Sequence, residues 1–497
     1  MRPRHDSEST SDLRFQAFAI AWALWTIARY AAVAGQYFKQ GHPSWFLFIP
    51  AVMLGGMVLS RPDSVARLGL LMFFTLTVCL FELPFKANQQ ALGMLVCLVG
   101  LIGILHSFLR VDDPESRRRH AFEVFAPSLR ILVVIVYFWA FMHKLNWDYF
   151  SDDGCAFYFY DLILEKYGLK TLVGMVGLSL PPESAIFLVV SIVILLWEGA
   201  LPVLLLFTRT RRLGLLLMLV LHALFMAVPD NFVGAFSATM WAMAACFVPN
   251  STWLRLRKAL DESRFGIRPP SIPTWFVISL ILCGGALLVT RAFPAIIRHL
   301  PNISSAFIIA LWIPVAATMF AAIAKTPSTA WKRRDGRADW IPYSLKWTLV
   351  FPLLGFMLGA MLYSDIRNET GFAMFSNMRS DPDRSNHFVI PRFSVMNDGE
   401  DGGVRIIETE DETLTLFVGE GMRRYPSRLT WFELRRLVAR LPGDVSLTYQ
   451  RDGGEMISVR REIDPEDPVF QPPGFLESRL RIFNAIPDDD RMCPCRH

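Results

Sequence analysis

Charged residues are scarce in this chain of 497 residues: Asp, Glu, Lys and Arg make up 19%, whereas 53% of the residues are hydrophobic. Soluble domains carry about 25% charged residues, so this composition excludes a disordered chain and argues against an ordinary soluble enzyme. The formal net charge is only +5, and no basic patch interleaved with aromatic residues is found. We therefore expect no nucleic-acid partner.

Metal-binding and nucleophile motifs are also missing. The chain contains no Cys-x-x-Cys, no His-x-Glu, no histidine pair at helical spacing, no phosphate-binding loop and no Gly-x-Ser-x-Gly. We therefore predict no metal site. Four of the seven cysteines (Cys79, Cys97, Cys246 and Cys283) fall in apolar blocks and are expected to be core residues. Cys493 and Cys495 are open to two interpretations, a redox pair or a disordered end.

Apolar blocks of about 20 residues, the length that crosses hydrocarbon, fill the first three quarters of the chain. They predict a polytopic α-helical membrane protein with about 11 spans, surrounded by membrane lipid. Residues 1–14 are a polar N-terminal tail, and residues 364–497 form a separate C-terminal region. The predicted spans are 15–38, 44–60, 66–84, 91–109, 128–147, 183–207, 213–229, 231–249, 273–293, 304–324 and 343–363.

Lys and Arg are concentrated in alternate short loops, which predicts the orientation of the spans. The loops rich in Lys and Arg include the one with Arg117, Arg118 and Arg119. By the alternation of the spans, the N-terminal tail lies on the same side of the membrane as these loops. The N-terminus is therefore predicted to be cytoplasmic. An odd number of spans then places residues 364–497 on the exoplasmic side, which corresponds to a bacterial inner membrane with a periplasmic tail.

The C-terminal region has the pattern of a small α+β domain. Asp452-Gly453-Gly454 is a hairpin signal, and Thr430-x-x-Glu433 is a capping box that opens a helix closed by Pro442-Gly443. The predicted strands are Val389–Val395, Val404–Thr409, Thr413–Val418, Val445–Gln450 and Met456–Arg460.

The aromatic loop after the fifth span, from Tyr149 to Tyr167, fits an interfacial helix or a ligand lid.

Ionisable residues inside spans are costly and mark functional candidates. They are Glu82, His106, His143, Lys144, Glu198 and His222. Desolvation penalises the ammonium form of Lys144, and a neutral amine can take a proton from a quinol hydroxyl; the alternative is that Lys144 extends to the interface. His222 is either a ligand-orienting residue or a satisfied core histidine. Glu198 is expected to pair with Arg209, Arg211 or Arg212.

Three short motifs resemble the membrane domain of vitamin K-dependent γ-glutamyl carboxylase and the related bacterial HTTM-domain proteins. They are an aromatic-rich span ending in Lys144-Leu145, an acidic residue (Glu198) before the step Arg211-Arg212-Leu213-Gly214, and the mid-span His222. Bacterial relatives also carry segments similar to Gly371–Arg379 and Ser385-Asn386-His387. The resemblance covers most of residues 15–395. It makes residues 15–250 an HTTM-like membrane domain and leaves residues 251–363 as additional membrane helices.

The resemblance implies that Lys144 is the base that deprotonates a vitamin K hydroquinone-like quinol, with His222 as the second catalytic residue. O₂ and CO₂ would be the co-substrates. Asn88, Gln89, His143, Trp147 and Glu198 would bind the quinone. One departure is that Gln89 or Gln90 occupies the place of the family's assisting histidine and cannot carry a proton.

Two functional hypotheses follow. The first is a quinol-dependent oxidase or carboxylase-like lyase, in which Asn377, Arg379 and His387 of the outer domain cap the pocket or select a protein or peptide substrate. The alternative is a non-catalytic membrane partner or maturation factor for a secreted peptide, with the outer domain as its binding module. The sequence leaves the true substrate and the oligomeric state open.

Overall fold

The computed structural model describes residues 12–84 apart from 40 and 43, 87–151, 154–156, 183–227, 233–262, 300–331, 340–341, 345–380, 385–396, 399–400, 402–418, 427–483 and 485–487, together with isolated positions between them. The described chain is mostly helical. Three predicted features lie outside the described residues: most of the span 273–293, most of the aromatic loop 149–167, and the pair Cys493 and Cys495.

Eleven helices precede the C-terminal region in the described part of the chain. Ten of the eleven predicted spans coincide with one of them, because long apolar runs form helices wherever backbone polar groups must be satisfied internally. They are α1 (Arg14–Lys39), α2 (Phe48–Ser60), α3 (Val65–Phe81), α4 (Asn88–Arg110), α5 (Pro114–His143), α6 (Glu183–Leu206), α7 (Arg211–Ala227), α8 (Val233–Ala244), α9 (Asn250–Glu262), α10 (Leu300–Lys325) and α11 (Val350–Ala360).

Five helical stretches among the described residues are long and apolar enough to cross a membrane: Arg14–Gly35, Asn88–Arg110, Pro114–His143, Leu188–Leu206 and Lys346–Tyr363. Four further apolar helices are shorter: Trp45–Ser60, Val65–Phe81, Gly234–Phe247 and Trp312–Lys325. The chain thus has the features of a multi-pass membrane protein, whereas the count of about eleven spans stays a prediction.

Two helices differ from expectation. Helix α5 begins well before the predicted span 128–147, because Asp113 accepts a hydrogen bond from Ser116 N at 2.7 Å and so caps a polar first turn. The polar helix α9 was not predicted, since the search followed apolar blocks and its sequence is dominated by charged and polar residues.

The chain divides into two compact units. The first unit comprises Met1–Phe81, Ala91–Ile135 and Ala200–Leu353. Its described core includes α1, which packs on α2, α8 and α10. Aromatic side chains fill this core: Trp22 stacks on Trp25 with ring centroids 4.3 Å apart, and Phe18 lies 5.0 Å from Phe125.

The second unit comprises Glu82–Gln90, Val136–Gly199 and Leu354–His497. It contains an antiparallel sheet of strands β1 (Gly403–Thr409), β2 (Ser427–Thr430), β3 (Ser446–Arg451), β4 (Met456–Arg460) and β5 (Ile486–Pro487), in the order β4-β3-β1-β2-β5. Three short helices accompany it: α12 (Glu412–Thr415), α13 (Trp431–Val438) and α14 (Glu477–Leu480). Apolar side chains of α12 and α13 form one core with the sheet, including Val404, Leu434 and Leu447.

Most of the predicted tail elements are confirmed. The strands predicted at 404–409, 445–450 and 456–460 match β1, β3 and β4, and Thr430 caps α13 by accepting a hydrogen bond from Glu433 N. The strand predicted at 413–418 is wrong: Asp411 accepts from Thr413 N and Leu414 N and starts a helix there. The strand predicted at 389–395 is also wrong, since only an isolated bridge forms at Phe393, near Pro391, which lacks a backbone donor. The sequence reasoning missed β2 and β5.

Candidate functional site

The ion pair between Lys144 and Glu198 is the centre of the candidate site. Lys144 directly follows the last residue of α5, and its amine Nζ lies 2.7 Å from Oε2 of Glu198 on α6. Lys144 is 2% exposed and Glu198 is 4% exposed. Lys144 therefore does not extend to the interface, because the turn that ends α5 directs its side chain into the protein.

The prediction that Glu198 pairs with an arginine after α6 is wrong. Arg211 donates to the carbonyl of Leu205 and packs its guanidinium over the ring of Trp340. Arg212 donates to the carbonyl of Ala324. Both arginines thus satisfy carbonyl groups near helix ends, and the described partner of Glu198 is an amine from a different helix.

Three acceptors surround the amine of Lys144. Besides Glu198, they are the carbonyl oxygens of Met374, at 2.9 Å, and of Ala140, at 3.3 Å. The amine donates hydrogen bonds to the two carbonyl oxygens, and its contact with the Glu198 carboxylate is an ion pair.

Met374 belongs to a backbone segment that is held in a costly conformation, residues 370–379, which we call the Met374 loop. Thr370, Phe372, Phe375 and Asn377 have φ angles of 65°, 67°, 54° and 50°, and Gly371 has 72°. Left-handed backbone costs about 1–2 kcal/mol for a residue with a Cβ. Such strain persists only where the surrounding contacts over-determine it, and it is found at functional sites.

Buried asparagines supply those contacts. Asn88 Oδ1 accepts a hydrogen bond from Phe372 N at 2.7 Å, and Asn146 Nδ2 donates to the carbonyl of Ser376. Asn377 Oδ1 accepts from Cys155 N at 2.7 Å. Asn386 completes the set, as its Oδ1 accepts from Arg379 N at 2.7 Å and its Nδ2 donates to Asn377 O at 2.8 Å.

His387 anchors the end of this network to α5. Its Nε2 lies 2.9 Å from the carbonyl of Met142, and its Nδ1 accepts hydrogen bonds from Val389 N and Ile390 N. The ring therefore has its proton on Nε2 and is neutral, because a proton on Nδ1 would remove both acceptor contacts. Partial burial accordingly lowers the pKa of His387.

His143 contacts a different set of groups from its neighbour Lys144. Its Nε2 lies 3.2 Å from the carbonyl of Gly359, and its ring stacks on Trp139 at 5.1 Å and lies 5.5 Å from Tyr363. Adjacent helical residues point to different faces, so His143 is not a direct partner of the ion pair. The Tyr363 ring in turn lies 5.0 Å from His387.

The remaining predicted quinone ligands have structural partners or are exposed. Asn88 is committed to the backbone of the Met374 loop, and Gln89 is only partly buried in the first turn of α4. Trp147 is 72% exposed and packs edge-on against Phe388, with ring centroids 4.5 Å apart. Its exposed ring does not support the predicted role in a pocket with Lys144.

The structure does not bring His222 into the same unit as Lys144. His222 lies on α7 in the first unit, where its Nδ1 is 3.0 Å from the hydroxyl of Ser237. This buried contact agrees with the second interpretation, a satisfied core histidine. The three predicted cap residues, by contrast, are in the second unit with Lys144: Asn377, Arg379 and His387.

Sequence reasoning missed several residues of the site. Asn386 appeared only within a motif and Asn146 was not singled out, although asparagine beside a span end is a signal that could have marked Asn146. Met374 acts through its carbonyl, which no side-chain pattern reveals. Arg29, buried in α1 with its guanidinium 5.2 Å from the Trp25 ring, was also missing from the ionisable residues within spans.

Comparisons with known proteins give no family assignment: no family model, no curated protein and no solved structure matches this chain. Among the described residues, no group of three or more His, Cys, Asp or Glu side chains could hold a metal ion. The function is therefore inferred from the geometry around Lys144 and from the resemblance of its motifs.

Proposed function

We propose that this protein is an integral membrane enzyme that binds a quinol at Lys144 and Glu198 and removes a proton from its hydroxyl group. The observation that carries the proposal is the burial of this ion pair beside the strained Met374 loop. A buried pair of opposite charges is expensive to desolvate, and replacing it with apolar residues often stabilises a protein. Its presence in an apolar chain is therefore better explained by chemistry than by stability.

In the proposed reaction, the carboxylate of Glu198 accepts the proton and the ammonium of Lys144 stabilises the oxygen anion that forms. A quinol hydroxyl reaches the amine of Lys144 by taking the place of the Met374 carbonyl. Of the two carbonyl oxygens that accept hydrogen bonds from this amine, that of Met374 is the nearer, at 2.9 Å, and that of Ala140 lies at 3.3 Å. This modifies the simpler scheme in which a neutral Lys144 is the base. With O₂ as the oxidant, the quinol becomes a quinone epoxide and O₂ supplies both the epoxide oxygen and the oxygen of a water molecule.

The outer region is proposed to cap this site. Asn377 and Arg379 contribute backbone groups to the Asn386 network, and His387 ties it to the end of α5. In a carboxylase-like reaction, the strong base formed when O₂ oxidises the quinol would remove a proton from the γ-carbon of a glutamate, in a protein or peptide held by this region. CO₂ would then add to that carbon. Asn88, Gln89 and His143 then support the pocket indirectly, through the backbone near Lys144.

The proposed orientation has a cytoplasmic N-terminus and an exoplasmic C-terminal region, as in a bacterial inner membrane with a periplasmic tail. Cys155, which follows α5 in the second unit, is disulfide-bonded. Disulfides persist in oxidising compartments such as the periplasm. This supports an exoplasmic location for the end of α5 and for the unit that contains it.

The test uses the full-length protein in lipid nanodiscs, supplied with a vitamin K hydroquinone and O₂, with quinone epoxide measured by mass spectrometry. Wild-type protein should form epoxide, whereas Lys144→Met and Glu198→Gln should each lose activity. The matched control is Glu433→Gln, which breaks the buried ion pair with Arg436 in the tail. Epoxide formation that is unchanged in Lys144→Met would overturn the proposal.

The second candidate function is a non-catalytic partner for a secreted peptide. One observation favours it: the amine of Lys144 already donates to two backbone carbonyls and is paired with Glu198, so the pair can serve as a structural anchor for the Met374 loop. Mass spectrometry of purified protein separates the two functions. A co-purified quinone supports the enzyme, whereas a co-purified peptide without any quinone supports the partner.

A further inference from the structure

Two exposed apolar segments of the C-terminal region lie beside the ends of membrane-spanning helices. The first, the 388–396 segment, exposes Phe388, Val389, Phe393, Val395 and Met396. The second, the 475–480 segment, exposes Phe475, Leu476 and Leu480. Soluble surfaces rarely present such residues in groups unless another apolar phase covers them.

The 388–396 segment is hydrogen-bonded to the chain immediately after α5. Phe388 N donates to the carbonyl of Leu145 at 2.9 Å, and Trp147 N donates to the carbonyl of Asn386 at 3.1 Å. The exposed ring of Trp147 packs on Phe388, which also stacks on Phe150 with centroids 6.0 Å apart. Because α5 ends at His143, this aromatic group lies within a few residues of the end of a span.

The 475–480 segment is joined in the same way to the chain that precedes α4. Arg479 Nη1 donates to the carbonyl of Leu83 at 3.4 Å, a few residues before α4 begins at Asn88. The guanidinium of Arg479 also lies over the ring of Phe475, 5.5 Å from its centroid. An arginine next to exposed Phe and Leu is the combination that favours the headgroup layer of a bilayer.

Both segments must lie at the same surface of the membrane. Helices α4 and α5 are consecutive and are joined only by residues 111–113, so they cross the membrane in opposite directions. The start of α4 and the end of α5 are therefore on one side. The two segments are hydrogen-bonded next to those two helix ends. They therefore lie close to the level at which α4 and α5 leave the hydrocarbon layer.

We propose that the 388–396 and 475–480 segments insert into the headgroup boundary of the lipid leaflet on this side, and that they hold the C-terminal region against the membrane. The occupant of both apolar surfaces is the bilayer itself. Met456 and Ile463, on the strand β4 side, are also exposed. Within the described part of the chain they have no such connection to a span end, and in this proposal they remain in water. The proposal is independent of the proposed quinol chemistry.

Photolabelling of the full-length protein tests this. The protein is reconstituted in phosphatidylcholine nanodiscs, a lipid-soluble diazirine reagent is activated, and labelled residues are located by mass spectrometry. Leu476 and Ile463 form a matched pair, because both are exposed aliphatic side chains, at 70% and 72%. Leu476, Leu480 and Val389 should be labelled several-fold more than Ile463.

A complementary experiment uses hydroxyl radicals generated in the water phase, which should oxidise Met456 readily and Met396 several-fold less. Equal labelling of Leu476 and Ile463 by the diazirine, together with equal oxidation of the two methionines, would overturn the proposal. The double variant Phe475→Ser, Leu476→Ser gives a further check. It should reduce diazirine labelling at Leu480, whereas the control variant Ile463→Ser should leave that labelling unchanged.

Discussion

The amine of Lys144 lies 2.7 Å from the carboxylate of Glu198, and both side chains are almost fully buried. The two residues come from different helices and meet next to the carbonyl of Met374. An ion pair in such surroundings costs several kcal/mol of desolvation per charge, which attraction between the charges must offset. From this ion pair we predict how the stability of the protein changes when one of the two side chains, or both, are replaced.

We predict that Lys144→Met and Glu198→Gln each destabilise the protein by about 3–5 kcal/mol, since each leaves the remaining partner buried without its counterpart. The double variant Lys144→Met, Glu198→Gln should recover much of that loss, because no buried charge then remains. Thermal unfolding of the purified protein in nanodiscs measures the three variants. Strictly additive losses in the double variant would show that the two side chains do not interact.

The apolar blocks predicted the helices well because hydrophobic length is a local property of the sequence. The start of α5 was placed too late, since Asp113 caps a turn whose residues are charged rather than apolar. In the tail, the turn chemistry of Asp452 and Gly453 predicted the hairpin between β3 and β4 correctly. At 413–418 the cap at Asp411 outweighed the strand-favouring side chains.

The site was predictable only in part. Lys144 was singled out because an ionisable residue at the end of an apolar block is visible in the sequence. Its pairing with Glu198 was not predicted, since nearby arginines offered a local partner and the meeting of α5 with α6 depends on tertiary packing. The Met374 loop was beyond prediction for another reason: its non-glycine residues adopt left-handed backbone against their local preference, and buried asparagines compensate.

We predict that His387 makes the stability of the protein depend on pH. Burial lowers the pKa of His387 in the folded state, so the unfolded chain binds a proton more readily. Its contribution is therefore present above the unfolded pKa of about 6.5 and is lost as the pH falls through the lower folded value. Protonation would also remove the contacts that Nδ1 accepts from Val389 N and Ile390 N.

The measurement for His387 is the unfolding midpoint in nanodiscs as the pH is lowered from 7.5 to about 5, the range in which an unperturbed histidine titrates. The variant His387→Asn removes the titrating ring while the other histidines remain. It should be less stable than wild type at neutral pH and show a smaller decline on acidification. A decline as steep as that of the wild type would assign the pH dependence to other groups.

We predict that Asn386→Ala loosens the Met374 loop. The side chain bonds to Arg379 N, Asn377 O and Asp148 Oδ2, and each buried polar group left without a partner costs about 1–3 kcal/mol. Hydrogen exchange of the loop amides in nanodiscs should become faster. The control Gln450→Ala removes an exposed hydrogen bond to Gly454 O and should leave exchange in the loop unchanged. Unaltered exchange in Asn386→Ala would contradict the role given to this network.

Gly371 gives the sharpest test of the loop's close packing, because Gly443 provides a control with a similar backbone angle. The φ angles are +72° and +78°, but a Cβ on Gly371 would lie 2.7 Å from Leu362 Cγ and 2.9 Å from Leu358 O, whereas a Cβ on Gly443 would meet nothing within 4 Å. Gly443→Ala should therefore cost only the left-handed backbone, about 1 kcal/mol. Gly371→Ala should cost a further 1–3 kcal/mol or so through overpacking. Thermal unfolding of both variants measures the difference, and equal losses would mean that the Met374 loop does not pack closely on the helix that contains Leu358.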